Sequence, residues 1–93
     1  MDRVVVVSYD VPTPLAARRA ALARLLGAHG RRVLRSVFEL YDVADDHLTE
    51  LLRSCAPLLD GGGSMLVQPV CARCRCSRIG TPIEDWSEQV VIR

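Results

Sequence analysis

The stretch that decides the fold is "VVVVSYDVPTP", residues 4–14. Four consecutive valines are typical of a buried β-strand, because β-branched side chains pack well on a pleated surface. Successive side chains of a strand point to opposite faces, so Val4 and Val6 face one side of the sheet while Val5 and Val7 face the other. Both faces of this strand are apolar, and we therefore expect both to be covered.

The next segments predict a helix and one or two strands. Residues 15–30, "LAARRAALARLLGAHG", are typical of a helix that ends at Gly30, since glycine favours a helix end. Its leucines at 15, 22, 25 and 26 fall on one stripe at helical spacing. Residues 32–41 are rich in β-formers and predict a strand that bends or breaks into two. Within it, Leu34, Phe38 and Leu40 are expected to share one apolar face.

A second helix and two strands complete the predicted order. Asp45 and Asp46 are N-cap candidates for the helix, and Pro57 makes its last turn irregular. Residues 65–70, "MLVQPV", predict a strand, and residues 88–93, "EQVVIR", a final short one.

The order predicts an α+β fold of the ferredoxin-like βαββαβ kind, with an extra C-terminal strand and two helices on one face of an antiparallel sheet. We expect residues 1–80 to form this domain and residues 81–93 to form a C-terminal link and strand. Two helices cover only one face of a sheet. A second copy of the chain is the simplest cover for the other, so we expect a homodimer through that face.

Composition narrows the class of protein. The chain has 93 residues and a net charge of +1, and its twelve basic residues are all arginine. Arginine forks bind phosphate in a bidentate way, although a coding bias toward arginine explains the same count. No apolar run approaches the roughly 20 residues of a membrane span and no signal peptide is visible. We therefore expect a cytoplasmic protein with no membrane partner, whose cysteines are mostly reduced thiols.

The cysteines leave a second class of function open. Cys71 and Cys74 have C-x2-C spacing, and Cys76 follows two positions later. A structural zinc site needs four ligands, usually as two separated pairs, and no second pair is present. A turn of reduced thiols is the simpler interpretation. The alternative is a non-catalytic ferredoxin-like nucleic-acid-binding or regulatory module with a cysteine-based zinc or redox site.

Asp10 is the first candidate for chemistry, because it ends an apolar strand. It shares a strand face with Val4, Val6 and Ser8, and the next step holds if that face is the dimer face. Two-fold symmetry would bring Asp10 close to its twin, and facing carboxylates repel unless a cation lies between them. Mg²⁺ prefers oxygen ligands and needs few from the protein, so it suits such a pair. The alternative is that Asp10 only caps the loop or the first helix.

The arginines form two groups near this point. Arg18 and Arg19 flank the leucine stripe in the first turns of the helix, on the loop side nearest Asp10, whereas Arg24 points to the opposite, solvent side. The second group is Arg31, Arg32 and Arg35. Together the groups predict a surface that follows a nucleic-acid backbone; the alternative is a solvated surface with arginine stems on the core.

Several of these segments together resemble the CRISPR-associated adaptation protein family Cas-two. They are "VVVVSYDVP" (4–12), "LLGAHGRRV" (25–33), "RSVFEL" (35–40), "VQPVCARC" (67–74) and "QVVI" (89–92). The resemblance implies a ferredoxin-like homodimer in which the terminal strand adds to the partner's sheet. It also implies a role in spacer acquisition: a Mg²⁺-dependent endonuclease on RNA or double-stranded DNA, a DNA-binding scaffold for the CRISPR integrase, or both.

The resemblance also implies site residues. The family's metal-binding aspartate corresponds to Asp10, with Tyr9 beside it, and its arginines correspond best to Arg19 and Arg32. Its Ser-Val-Phe segment corresponds to residues 36–38, ending at Phe38. Two family positions differ here, because Ala17 stands where an arginine is common and Leu34 where a glutamine is common.

Overall fold

In the computed structural model, residues 3–71, 79 and 80 are described. The elements are β1 (Arg3–Asp10), a 3-10 turn (Thr13–Leu15), α1 (Ala16–Gly27), β2 (Gly30–Leu34), β3 (Val37–Tyr41), α2 (Asp45–Cys55), a second 3-10 turn (Ala56–Leu59) and β4 (Ser64–Cys71). The predicted C-terminal link and strand, residues 81–93, lie outside the described residues. No helix in the described ranges is long and apolar enough to cross a membrane.

The strand that opens the chain is a central strand of the sheet. The four strands lie in the order β2-β3-β1-β4, and every neighbouring pair is antiparallel. Val7 of β1 lies opposite Phe38 of β3 on one side and opposite Val67 of β4 on the other. The expected α+β class, with two helices and an antiparallel sheet, is therefore confirmed.

One face of the sheet holds the core. Val5, Val7 and Tyr9 of β1 are buried, as their alternation along the strand requires. They belong to one cluster with residues of both helices: Leu22 and Leu26 of α1, and Leu48, Leu51 and Cys55 of α2. The two helices therefore pack on the same face, and the leucine stripe predicted for α1 is the face that it buries.

The opposite face of the sheet, here called the open face, is covered by neither helix. Its β1 residues, Val4, Val6 and Ser8, are half-buried. Leu66, opposite Ser8 in β4, is 63% exposed. Glu39, opposite Val6 in β3, is buried nonetheless, and accepts a hydrogen bond from the Tyr41 hydroxyl at 2.6 Å.

The region after α1 differs from the prediction. The helix ends at Gly27, and Gly30 begins β2. Gly30 lies so close to β3 that a β-carbon there would clash with the Glu39 carbonyl oxygen and approach Leu40 Cδ2 to 2.5 Å. Glycine is therefore required here by strand contact, and the prediction that it stops the helix is wrong.

Residues 32–41 form a hairpin whose turn lies at Arg35 and Ser36. The register of β2 against β3 shifts between Arg32 and Leu34. This shift changes which side chains of β2 are covered. Val33 is buried and Leu34 is 53% exposed, so the prediction that Leu34 joins Phe38 on an apolar face is wrong.

The start of α2 also differs. Its N-cap is Ala44, and Asp45 and Asp46 lie in the first turn. Carboxylates in a first turn are stabilised by the partial positive charge of the helix N-terminus, and the Asp46 carboxylate accepts a hydrogen bond from the His47 amide at 2.9 Å. The irregular end expected at Pro57 is confirmed as the second 3-10 turn.

Candidate functional site

Asp10 is the last residue of β1 and its side chain is exposed. It lies opposite Ser64, the first residue of β4, and by alternation belongs to the same side as Ser8 and the open face. Within residues 3–71, 79 and 80, no side chain forms a hydrogen bond or an ion pair with its carboxylate. Arg18 and Arg19, predicted to lie on the loop side nearest Asp10, therefore do not pair with it among the described contacts.

A cleft of about 810 Å³ begins at Asp10 and lies between α1 and the turn of the β2–β3 hairpin. We call it the arginine cleft, because four of its lining residues are arginines: Arg19, Arg24, Arg32 and Arg35. In the part of the chain that the structure describes, Asp10 supplies the only carboxylate of its lining. The cleft is therefore strongly cationic, with one anionic side chain at its end.

Two of these arginines are held by backbone carbonyl groups. Arg32 donates from Nε and Nη2 to the Arg35 carbonyl oxygen at 3.0 and 2.6 Å, and its guanidinium carbon lies 5.8 Å from the centre of the Phe38 ring. That geometry permits a cation–π interaction. Arg19 Nη1 donates to the Val11 carbonyl oxygen at 3.4 Å. Both side chains are thus oriented by backbone oxygen atoms.

Tyr9, the residue before Asp10, lies in the core. Its ring stacks on Phe38, with centroids 6.3 Å apart and planes 20° apart. The Tyr9 hydroxyl is buried and has no hydrogen-bond partner among the described residues. Burial raises the pKa of the Tyr9 phenol above its usual value, and the positive charges of Arg32 and Arg19 oppose this shift. The hydroxyl is therefore within electrostatic reach of both oriented arginines.

Arg18 and Arg31 do not line the arginine cleft. Arg18 donates from Nη1 to the Asp60 carbonyl oxygen, and its Nη1 lies 3.6 Å from the position of a β-carbon on Gly61. It thereby links α1 to the loop before β4. Arg31 lies opposite Glu39 in the β2–β3 pair. The structure therefore brings Arg19, Arg32 and Arg35 to the end of β1, but places Arg18 and Arg31 elsewhere.

Arg24 is the residue of the cleft that the sequence analysis missed. It is exposed, as expected for the side of α1 away from the leucine stripe, yet it also lines the cleft. The position of Arg24 on α1 does not by itself indicate that it lines a cleft, because the second wall of the cleft comes from the hairpin turn. The missing information is the distance between a helix and a turn that are adjacent only after folding.

The donor set at Asp10 is compatible with a hard divalent cation. Asp10, whose carboxylate is exposed, lines a second, smaller cleft of about 260 Å³ together with Ser8 and Ser64. Mg²⁺ is commonly held by one or two carboxylates together with waters and substrate phosphates. Among the described residues, no group of three or more His, Cys, Asp or Glu side chains could hold a metal ion. One chain alone thus offers a partial site.

The thiols give no described metal or redox site. Cys55 is buried in the core as a free cysteine, and burial raises the pKa of its thiol above the usual value. A raised pKa makes a thiol less reactive at neutral pH. The zinc or redox alternative depends on Cys74 and Cys76, which lie outside the described residues.

Fold and site together define a small α+β protein with an arginine-lined cleft at the end of a central strand. A family model described as "CRISPR associated protein Cas2" matches residues 2–78 of this chain. The chain therefore belongs to the Cas2 family of CRISPR-associated proteins, the family that the sequence motifs resemble.

Similar proteins of known name or structure support the assignment to the Cas2 family. The chain is 38% identical, over 97% of its own length and 97% of the relative's, to "CRISPR-associated endonuclease Cas2 2" of Thermus thermophilus. A crystal structure of a hypothetical protein from Thermus thermophilus matches with a TM-score of 0.67 and 39% identity, covering 76% of this chain and 84% of that one. Streptococcus pyogenes Cas2, solved at pH 6.5, matches with a TM-score of 0.63 and 29% identity, covering 69% and 81%.

Proposed function

We propose that this chain acts in CRISPR spacer acquisition as a ferredoxin-like homodimer that binds nucleic acid and hydrolyses phosphodiester bonds with Mg²⁺. The observation that carries the proposal is one exposed carboxylate, Asp10, at the end of a cleft lined by four arginines. A nucleic-acid backbone presents the opposite charge at regular intervals, and arginine forks bind its phosphates in a bidentate way. The endonuclease name of the Thermus thermophilus relative agrees with this chemistry.

The roles of the side chains follow from their orientation. Arg19 and Arg32, fixed by backbone carbonyl groups, hold the phosphate next to Asp10 and stabilise the negative charge that increases as water attacks phosphorus. Phe38 contacts Arg32 across its ring face and so keeps that guanidinium in place. Hydrolysis adds water across one P–O bond and leaves a phosphate monoester and a free hydroxyl group.

Asp10 would hold the magnesium ion together with its twin from a second copy. A bound divalent cation supplies a Lewis acid at the phosphate oxygens. In this proposal the open face, with its half-buried valines and exposed Leu66, forms the dimer contact. The dimer brings two carboxylates to one site, which a single chain cannot provide from its described residues.

The test is cleavage of single-stranded RNA and of double-stranded DNA over a Mg²⁺ titration, with wild type and Asp10→Asn. Asparagine keeps the shape of the side chain and removes its charge, so we expect at least about 100-fold loss of Mg²⁺-dependent cleavage, which is about 2.7 kcal/mol of transition-state stabilisation. Asp46→Asn, at an exposed position of α2 that does not line the cleft, is the matched control and should cleave at the wild-type rate. Wild-type cleavage by Asp10→Asn would overturn the catalytic assignment.

A second candidate role uses the same cleft without chemistry, as a DNA-binding scaffold for the CRISPR integrase. The excess of arginines over carboxylates in the cleft favours it, because binding a backbone needs cations alone. Asp10→Asn should then leave DNA retention by the integrase complex intact, whereas Arg19→Glu with Arg32→Glu should abolish it. Arg18→Glu, outside the cleft, should have a smaller effect; equal retention by all variants would contradict the scaffold role of this cleft.

A further inference from the structure

The arginine cleft contains more cations than a single phosphate requires. Arg19 and Arg32 are the two that the family motif assigns, and both are oriented by backbone carbonyl groups. Arg24 and Arg35 line the same cleft, and the resemblance gives neither of them the role of a family arginine. Arg24 comes from α1 and Arg35 from the hairpin turn, so the extra pair approaches the cleft from its two opposite walls.

Both extra arginines are available to a ligand. Their side chains are exposed, and across residues 3–71, 79 and 80 neither guanidinium forms an ion pair or a hydrogen bond. Arg53 of α2 offers a contrast, because its Nη1 lies 2.8 Å from the Glu50 carboxylate. The backbone of Arg35 is fixed, since its carbonyl accepts two hydrogen bonds from Arg32, while its own guanidinium remains free for another partner among these contacts.

The cleft also has room for more than one phosphate group. Its volume is about 810 Å³, and pockets of about 300–1,000 Å³ enclose whole drug-sized ligands. The wall formed by α1 carries alanines at positions 16, 20 and 23 between its arginines. Short side chains on that wall let a sugar-phosphate backbone approach the helix closely.

We propose that Arg24 and Arg35 form a second phosphate-binding subsite, so that the cleft holds two consecutive phosphates of one nucleic-acid strand. Arg19 and Arg32 hold the phosphate beside Asp10, and Arg24 and Arg35 hold its neighbour. This inference rests on the proposed function, since it takes a nucleic-acid strand as the ligand. Linking two phosphates in one ligand raises affinity, because the second contact forms within an already bound molecule.

The first test is the salt dependence of binding to a short single-stranded DNA, measured by fluorescence anisotropy. Each phosphate contact contributes about 0.7 to the slope of log K against log salt concentration for a single strand. We expect Arg24→Gln and Arg35→Gln each to weaken binding and the double variant to lower the slope by about 0.7, the share of one phosphate. Arg53→Gln removes an equal charge outside the cleft and should leave the slope unchanged.

The second test uses a thymidine trinucleotide, whose two internal phosphates are both charged, and the same trinucleotide with one neutral methylphosphonate linkage. Wild type should bind the fully charged form about tenfold more tightly, since a charge-assisted contact contributes about 1.5 kcal/mol. The Arg24→Gln/Arg35→Gln double variant should bind both forms equally. An RNA trinucleotide of matched sequence distinguishes a preference for the sugar from the contact to phosphate.

The outcomes separate this inference from the proposed function. Wild type that binds neither DNA nor RNA overturns the proposed function and this subsite with it. Wild type that binds, with Arg24→Gln and Arg35→Gln indistinguishable from Arg53→Gln in both assays, overturns the second subsite alone. Far-UV circular dichroism and urea unfolding of each variant confirm that an altered slope comes from a folded protein.

Discussion

Tyr9→Phe should make the protein more stable and less active. The Tyr9 hydroxyl is buried and unpartnered among the described residues, so the folded state bears the cost of removing this polar group from water. Phenylalanine keeps the ring, and with it the stacking on Phe38. The change therefore removes a penalty without creating a cavity.

The size of the effect follows from the same observation. Leaving a buried donor unsatisfied costs about 1–3 kcal/mol, and part of that is recovered by contacts of the hydroxyl oxygen, so we expect Tyr9→Phe to raise the free energy of unfolding by about 1 kcal/mol. In a domain of this size that corresponds to a rise in Tm of about 4–8 °C. Tyr41→Phe is the matched control with the opposite sign, because the Tyr41 hydroxyl donates to Glu39 at 2.6 Å; its loss should cost about 1 kcal/mol.

The assay is urea unfolding followed by circular dichroism, repeated over alkaline pH. Burial raises the pKa of the Tyr9 phenol above its usual value of 10.0 in the folded state. As pH rises through 10, the unfolded chain releases this proton while the folded chain retains it, so stability falls with rising pH. Below pH 10 the phenol is protonated in both the folded and the unfolded state, so it adds no pH dependence to the free energy of unfolding. Tyr9→Phe should lack this alkaline loss.

The nuclease activity of Tyr9→Phe should decrease, although its stability increases. The resemblance places Tyr9 in the site beside Asp10, and the positive charges of Arg32 and Arg19 act on its hydroxyl. We expect kcat/KM of the nuclease reaction to fall about tenfold, or about 1.4 kcal/mol. A Tyr9→Phe protein that is less stable than wild type by 1 kcal/mol or more would refute the reasoning, since it would show that the hydroxyl is hydrogen-bonded in the folded protein.

Two further substitutions test the fold and the dimer. Gly30→Ala should lower the free energy of unfolding by about 1–3 kcal/mol, because its β-carbon would lie 2.5 Å from Leu40 Cδ2. Urea unfolding measures this change. Gly27→Ala is the control and should cause no loss of stability, because its β-carbon would meet nothing closer than 3.7 Å. Leu66→Glu puts a charge on the open face, so sedimentation velocity should show a folded monomer in place of a dimer. Thr49→Glu, at an exposed position of α2, is the control and should remain dimeric. If Leu66→Glu forms a dimer as stable as that of Thr49→Glu, the interface lies elsewhere.

The alternation of side chains along the strands predicted more of this fold than the spacing of residues along the helices did. The alternation of Val4 to Val7 correctly divided the strand residues between two faces, because successive side chains of a strand point to opposite sides. The structure adds that the helices cover the face of Val5 and Val7. The break of residues 32–41 into two strands was predicted, but its position at Arg35 and the register shift after Arg32 were not, since no glycine, proline or asparagine marks the turn. Leu34 was misplaced for that reason, because a one-residue shift moves a side chain to the other side.

The site residues also divide into those that strand alternation predicted and those that depend on how the elements pack. Asp10 ends the strand whose alternation was predicted, so its side of the sheet was predicted with it. The arginines depend on how α1 lies against the hairpin turn, and a helical wheel of α1 contains no information about that turn. Arg18 was therefore assigned to the site although its guanidinium contacts the Asp60 carbonyl, and Arg24 was assigned to solvent although it lines the cleft. For a long, flexible arginine, the partner that the fold brings within reach decides the role, which is why Arg24 becomes the residue whose substitution best distinguishes a one-phosphate cleft from a two-phosphate cleft.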